Sequence, residues 1–226
     1  MYIAGLNLNQ GVEGIVACTN AFLTINGLHS VFNSIKRGDR EGGKILPFHD
    51  TLLAKILTPM QTITLLTTPI IFGVAVAING LEQPHWLQRY SLPSLGDNEV
   101  IAATVRVLGC LGGLACYRLF VSTAAHLGKQ FHFIAVRRYP SYTRCPLIIA
   151  QVREKANIVT DGPYAHVRHP LYTAGLLQQL ANAVMFWSYI PLIAMAAFGG
   201  ILAVKVPIEV GLYVKLNAVL RAELCL

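Results

Sequence analysis

The stretch DGPYAHVRHPLYTAG, residues 161–175, places an aromatic residue, an arginine and two histidines between a Gly-Pro turn and a long apolar run. Polar groups concentrated at such a border predict a functional site. Pro170 suits the first position of a helix, because its missing N–H would be unbonded there in any case. We therefore expect a helix to begin at Pro170, with His169 at its cap. The positive dipole end and free N–H groups of that helix favour an anion such as a carboxylate.

The composition around this stretch is that of a membrane protein. The chain is 54% hydrophobic and only 13% charged, and its mean hydropathy is +0.52, whereas soluble domains carry nearer ~25% charged residues. The net charge of +7 could suggest nucleic acid, but in a membrane protein it is more simply topological, so no nucleic-acid partner is predicted. The five cysteines have no metal-ligand spacing.

Apolar stretches predict an all-α, polytopic transmembrane protein of about five spans. Residues 12–32, 56–78 and 100–125 are each long enough to cross a bilayer, although Glu13 weakens the first. Pro59 and Pro69 interrupt the second, and neighbouring helices or hydroxyls can satisfy the carbonyls that they free. Residues 171–204 divide near Tyr189 and Pro191, which predicts a C-terminal hairpin of two short antiparallel helices.

The charge of the connecting segments alternates along the chain. Residues 34–55 and 126–169 are basic and are expected to be loops, whereas residues 81–99 are acidic and rich in turn residues. Lys and Arg collect on the cytoplasmic side, so both basic loops and the C-terminus should face the cytoplasm, with residues 81–99 on the opposite side. Arg106 and Arg118 lie near the ends of the third span, where snorkelling is favoured over a cavity role, Arg118 being the better functional candidate.

Two motifs resemble those of a known family. Residues 158–172, IVTDGPYAHVRHPLY, follow the pattern Leu-Val-x-x-Gly-Pro-Tyr-x-x-x-Arg-His-Pro-x-Tyr of the isoprenylcysteine carboxyl methyltransferases, and residues 126–131 are similar to the family's Leu-Gly-x-x-Phe element. The resemblance implies an integral membrane enzyme that uses S-adenosylmethionine, with membrane lipids and a prenylated acceptor as its partners. It divides the chain into N-terminal transmembrane helices, residues 1–125, and a catalytic region, residues 126–226, that carries the cofactor loop and the hairpin.

The resemblance also implies site residues. In the family the His-Pro-x-Tyr residues contact S-adenosylmethionine, which implies a cofactor role for His169, Pro170, Leu171 and Tyr172. The resemblance likewise implicates Tyr164, the backbone near Asn157, Ile158 and Val159, and Gln151. Methyl transfer to a carboxylate needs a cation that orients the acceptor, and Arg168 and Lys205 are the candidates. The alternatives are interfacial anchoring for Arg168 and an aromatic belt for Tyr164 and Tyr172. His166 and His169 lack further ligands nearby, so no metal is predicted.

The last landmark of the family is altered in this chain. Lys205 stands where the family has an Arg, Glu209 matches one residue of a Glu-Glu pair, and Val210 replaces the other. The resemblance implies that Lys205 contacts the acceptor carboxylate and that Glu209 contacts the cofactor. Lys lacks the planar fork of Arg, so carboxylate recognition would be weaker. The aromatic-rich ending of the family is also missing, which makes the C-terminus degenerate or truncated.

The sequence leaves several functions open. The preferred hypothesis is methyl transfer from S-adenosylmethionine to the C-terminal carboxylate of a prenylated cysteine, in the endoplasmic reticulum membrane with the active site facing the cytoplasm. The acceptor would be a prenylated protein C-terminus or a prenylcysteine-like lipid. Alternatives are transfer to another lipophilic carboxylic acid, a relative of the NADPH-dependent membrane sterol reductases, and a non-catalytic homologue that binds lipid.

Overall fold

A computed structural model describes residues 7–41, 52–94, 99–128 and 161–224, with side chains given for residues 7–41, 56–94, 99–128 and 161–207. In chain order the helices are α1 (Leu8–Glu41), α2 (Leu52–Ile78), α3 (His85–Gln88), α4 (Glu99–Leu127), a 3-10 helix (Gly162–Ala165), α5 (Pro170–Phe186) and α6 (Ile190–Leu224). These ranges contain no β-strand and a single isolated bridge, between Ser91 and Ser188. The predicted all-α architecture is confirmed.

Four of the helices are long and apolar enough to cross a membrane. They are α1, the part of α2 from Ile56, α4 and the first part of α6, Ile190–Pro207. Helix α5 has 17 residues, which give about 25 Å at 1.5 Å per residue, less than a hydrocarbon core of ~30 Å. The protein is therefore a polytopic α-helical membrane protein in which α5 is the short arm of the C-terminal hairpin. Contrary to the sequence-based prediction, the second arm is not short, because α6 has 35 residues and continues to Leu224.

The hairpin turn lies beside the connection between α2 and α4. Trp187 adopts a left-handed conformation, with φ of 54°, and ends α5. The amide of Leu92 donates to Trp187 O at 3.0 Å, and the amide of Tyr189 donates to Tyr90 O at 2.8 Å. These bonds tie the turn of the predicted hairpin to the turn-rich connection, so both lie at one end of the bundle.

The predicted basic loop over residues 34–55 is wrong at both edges. Helix α1 continues to Glu41 and α2 begins at Leu52, so only residues 42–51, outside the described part of the chain, separate the two helices. Residues 34–41 contain no proline, and Arg37 Nε lies 3.2 Å from Glu41 Oε1, one helical turn away. Basic composition indicates the side of the membrane, but it does not end a helix.

The core lies where α1, α2, α4 and α5 meet. The rings of Phe72 and Phe186 stack with centroids 3.8 Å apart, and Val16 and Met185 beside them are fully buried. Helix α4 packs closely on α5 at Gly109, where a Cβ would lie 2.7 Å from the Met185 nitrogen. This contact needs a residue without a side chain, because the two backbones approach directly.

Arg106 does not snorkel, contrary to the sequence-based expectation. Its Nη1 lies 2.7 Å from Glu13 Oε1 of α1, and its Nε donates to Met185 O at 3.1 Å. Gln83 Nε2 also donates to Glu13 Oε1, at 2.9 Å. The glutamate that weakened the first span in the sequence is thus paired inside the bundle. Arg118, by contrast, is exposed.

Candidate functional site

The loop before α5 is held by the end of α4. Gly162 has a φ of +58°, and a Cβ on this residue would collide with the ring of His126. His126 Nδ1 lies 2.8 Å from Ser122 O, which fixes the ring at the end of α4. Gly162 therefore meets two requirements at once, a left-handed backbone and room for the His126 ring.

Helix α5 begins at Pro170, as predicted, with His169 at the N-cap. The His169 side chain makes no capping hydrogen bond, but its carbonyl oxygen accepts from the amides of both Tyr172 and Thr173, each at 3.1 Å. The first turn of the helix is therefore closed from its own backbone. Fewer N–H groups remain for an external anion than the sequence predicted, although the positive end of the dipole remains.

Four residues from three helices and the loop form a group, which we call the Tyr172–Lys205 cluster. The rings of His169 and Tyr172 are nearly parallel, with centroids 5.6 Å apart. Lys205 Nζ lies 5.3 Å from the Tyr172 ring centroid and donates to Gln61 Oε1 at 2.9 Å. A cation over an aromatic ring is stabilised by the ring quadrupole. The cluster brings a predicted cofactor motif and a predicted substrate cation together across α2, α5 and α6.

A cavity of about 210 Å³ lies next to this cluster, inside the bundle. Helices α1, α2, α4, α5 and α6 all contribute to its lining, and among the lining residues are Leu23, Leu28, Leu66, Phe120, Ala174 and Phe198. Gln61 and Leu171 also line it. Since Gln61 accepts a hydrogen bond from Lys205, only the Gln61 side chain lies between the Lys205 ammonium and the apolar interior. The arrangement can hold a molecule with an apolar body and an anionic end.

Amide side chains in the cavity wall are bonded to other groups. Asn20 Nδ2 donates to Pro69 O at 2.7 Å, and Gln179 Nε2 donates to Leu65 O at 3.3 Å. Gln178 Nε2 donates to Asn182 Oδ1 at 3.0 Å. Because these polar atoms are engaged by the protein, the accessible lining is almost entirely apolar.

The remaining predicted site residues lie apart from the cluster or outside the described chain. Arg168 is exposed, and no hydrogen bond or ion pair joins it to the described cluster residues. Tyr164 lies in the 3-10 helix, where burial raises the pKa of its hydroxyl to about 12, so this group stays protonated at physiological pH. Glu209 lies within α6, but its side chain is outside the described residues, as are Gln151, Asn157, Ile158 and Val159.

The described residues do not assemble a metal site. Across residues 7–41, 56–94, 99–128 and 161–207, whose side chains are described, His, Cys, Asp and Glu form no group of three or more that could hold a metal ion. His166 is exposed, and the His169 ring faces Tyr172. The two histidines of the motif therefore point to different surroundings.

Sequence reasoning missed Gln61, Asn20 and Gln179. Each is an amide within an apolar span, and each is buried, with exposures of 8%, 4% and 0%. Polar residues inside a membrane helix are costly to bury alone, so their presence was the available signal. Their partners, however, lie between 49 and 144 residues away, and no local pattern identifies them.

A family model matches the part of the chain that carries most of this geometry. Residues 126–209 match the model of the isoprenylcysteine carboxyl methyltransferase (ICMT) family. This region of the chain is similar to the ICMT family. The match runs from His126, which holds the loop, to Glu209, and the prediction made from the motifs at residues 126–131 and 158–172 is confirmed. The search of curated proteins gave no match.

The ICMT family region coincides with part of the candidate site. The matched region includes the 3-10 helix, α5 and α6 as far as Glu209, and therefore three members of the Tyr172–Lys205 cluster. Gln61 and the α1 and α2 walls of the cavity lie before the matched region. The family supports a membrane methyltransferase in general, and ICMT enzymes generally use S-adenosylmethionine.

Proposed function

We propose that this protein transfers a methyl group from S-adenosylmethionine to the C-terminal carboxylate of a prenylated cysteine. The observation that carries the proposal is the contact of Lys205 with Gln61, at 2.9 Å. Gln61 lies in the wall of the apolar cavity. A lipophilic acceptor with a terminal carboxylate has the two properties that this arrangement complements, an apolar chain and one negative charge.

The acceptor carboxylate needs orientation more than activation. A carboxyl group is already ionised near neutral pH, so no general base is required to make the nucleophile. Lys205 Nζ attracts and orients that charge, while the apolar wall excludes water and stabilises the chain by ~25 cal/mol for each Å² of buried apolar surface. Lys is a point charge without the fork of Arg, so orientation depends on the fixed Gln61 and Tyr172 contacts.

The described residues fit a methyl donor of this kind. His169 and Tyr172 offer two nearly parallel rings at the positive end of α5, which suits a ligand that has both an aromatic base and a carboxylate. Pro170, Leu171 and Tyr164 belong to the same segment, and we assign Gln151, Asn157, Ile158, Val159 and Glu209 to the donor site on the family motif alone. S-adenosylmethionine supplies a methyl group that is already activated on sulfur.

Arg168 has a second role in the proposal. Its guanidinium is exposed at the border of the loop and α5, where it can attract an anionic acceptor or lipid headgroup toward the site. We place this loop on the cytoplasmic face and the protein in the endoplasmic reticulum, since prenylated protein C-termini are presented from the cytoplasm. The basic charge of the segments around it supports that side.

The proposal is tested by methyl transfer from labelled S-adenosylmethionine to an S-farnesylcysteine analogue in membranes that contain the protein. Lys205→Ala should raise the Michaelis constant for the acceptor by about ten-fold or more, because a charge contact of about 1.5 kcal/mol or above is lost. Lys205→Arg should keep or improve acceptor use, since the fork adds a second hydrogen bond.

Arg118→Ala is the matched control, because it removes an exposed cation from a neighbouring helix. It should leave both substrate constants near those of the wild type. Transfer to simple fatty acids but not to the farnesylcysteine analogue would redirect the proposal to another lipophilic acid. Absence of donor binding to the purified protein would favour a non-catalytic homologue.

A further inference from the structure

Helix α2 continues to Ile78, but its backbone hydrogen-bond ladder is interrupted at Pro69, which lies in the cavity wall. In an α-helix each N–H donates to the carbonyl four residues earlier, and proline has no N–H to donate. The Leu65 carbonyl is therefore without its helical donor. A carbonyl left unbonded within a membrane-embedded bundle is costly, so another group must replace that donor.

Gln179 of α5 provides the replacement. Its Nε2 donates to Leu65 O at 3.3 Å, and its side chain is fully buried, with 0% exposure. Asn182 Nδ2 lies 3.5 Å from Gln179 Oε1, and Gln178 Nε2 donates to Asn182 Oδ1 at 3.0 Å. Because the Gln179 oxygen accepts from Asn182, the NH2 group of Gln179 points at α2, where it donates to the Leu65 carbonyl.

Asn20 of α1 holds the same interruption from the other side. Its Nδ2 donates to Pro69 O at 2.7 Å. The approach depends on Gly73, where a Cβ would lie 2.9 Å from the Asn20 nitrogen. Two buried amides from two different helices thus bind the carbonyl that lost its helical donor and the carbonyl of the proline itself.

Leu65 and Pro69, whose carbonyls accept these two hydrogen bonds, lie on the same face of α2 as Gln61. Gln61, Leu65 and Pro69 are spaced four residues apart, so they lie on one side of α2, and all three line the cavity. Gln61 is one turn before Leu65 and bonds Lys205. A change in the angle of α2 at Pro69 would therefore move Gln61 relative to α6.

We propose that Gln179 and Asn20 are positioning residues, which hold α2 at its Pro69 interruption so that Gln61 keeps Lys205 beside the cavity. This inference rests on the proposed function, because it assumes that Lys205 orients the acceptor carboxylate. Neither amide needs to touch the acceptor. Their effect passes through the backbone of α2, and it exists only because position 69 lacks an N–H.

A double-mutant cycle isolates that dependence. Gln179→Leu should raise the Michaelis constant for the S-farnesylcysteine analogue about ten-fold, which corresponds to about 1.4 kcal/mol, with little change in donor affinity. In a Pro69→Ala background, the substituted alanine supplies the missing N–H to Leu65 O. There the same Gln179→Leu change should raise the constant by less than about two-fold. An equal rise in both backgrounds would mean that Gln179 acts on the acceptor directly, and would overturn the proposal.

Pro59→Ala is the matched background, because Pro59 interrupts the same helix nearer its start. It should not suppress the effect of Gln179→Leu. Hydrogen exchange of the peptide that covers residues 65–73 provides a readout without turnover, and protection should fall in Gln179→Leu and return in the double variant. Reduced protection without any change in the acceptor constant would make the contact purely structural, which also overturns the proposal.

The cycle separates this inference from the proposed function. If the wild-type protein transfers no methyl group to the analogue, the proposed function fails, and exchange alone then reports whether Gln179 holds α2. If the wild-type protein is active and the Pro69→Ala background does not suppress the effect, only the positioning role fails. A Gln179→Leu variant that does not insert, and is not rescued by Pro69→Ala, likewise overturns it.

Discussion

Arg106 of α4 and Glu13 of α1 form an ion pair of 2.7 Å inside the bundle, with side-chain exposures of 12% and 7%. Glu13 Oε2 and Arg106 Nη2 are fully buried and have no hydrogen-bond partner in the described part of the chain. The pair is therefore only partly satisfied. It joins the first and third spans at the level of Met185, on the side of the bundle that carries the hairpin turn.

Removing one partner of this pair should destabilise the protein more than removing both. Arg106→Leu would leave a buried carboxylate without its cation, at a cost of about 3–5 kcal/mol, and Glu13→Leu would do the converse. The double replacement should recover much of that loss, because no buried charge remains. Thermal unfolding in detergent measures the three variants, with Arg118→Leu as an exposed control. A double variant less stable than both single variants would contradict the expectation.

His169→Ala and Tyr172→Ala should each weaken S-adenosylmethionine binding while leaving the protein inserted. Loss of one ring from the stacked pair should reduce donor affinity by roughly two- to ten-fold, which is typical of aromatic contacts. Equilibrium binding to purified protein gives the measurement. Tyr189→Ala is the control, because Tyr189 is exposed at the opposite end of α5. If both site variants bind S-adenosylmethionine with unchanged affinity, the two residues do not contact the donor and interfacial anchoring is the better interpretation.

Gly162→Ala should damage the loop without unfolding the bundle. The left-handed φ of +58° costs a non-glycine residue roughly 1–2 kcal/mol, and the added methyl group would meet the His126 ring. We expect weaker donor binding with a nearly unchanged unfolding temperature. Adding His126→Ala should recover part of the loss by making room. Gly199→Ala is the control, since a Cβ there meets no atom within 4 Å.

The topology can be tested with single cysteines in a background whose five native cysteines are replaced. A cysteine at Ser94, in the connection before α4, should react with an impermeant thiol reagent only after sealed vesicles of cytoplasmic-side-out orientation are opened. A cysteine at His166, which is exposed in the loop before α5, should react without opening them. The reverse pattern would place the Tyr172–Lys205 cluster on the luminal side.

Much of the fold followed from local sequence. Apolar length predicted the three long spans and the hairpin. Pro170 indicated the start of α5, because a proline at the first helical position loses no helical hydrogen bond, whereas a proline further inside a helix leaves a carbonyl without its donor. The family motifs likewise lie in one continuous stretch. The end of α1 could not be obtained in this way, because basic residues are compatible with a helix as long as no proline or glycine cluster breaks it.

The candidate site was only half predictable. His169, Tyr172 and Lys205 were identified from motifs, but the motifs gave no reason to connect them with Gln61, which is 144 residues from Lys205. The sequence offered both Arg168 and Lys205 as candidate cations for the acceptor carboxylate. The tertiary structure separates them, because α6 brings Lys205 over the Tyr172 ring while Arg168 is exposed to the outside.

The sequence by itself determined the membrane class, the helical spans and the similarity of residues 126–209 to the ICMT family, since these depend on composition and on residues close together in the chain. Tertiary structure decided which polar groups inside the membrane meet. Glu13 with Arg106, Gln179 with Leu65 O and Gln61 with Lys205 are each joined across helices. In an apolar interior a polar group must find a partner, but the partner's identity depends on how the helices pack and not on the residues beside it.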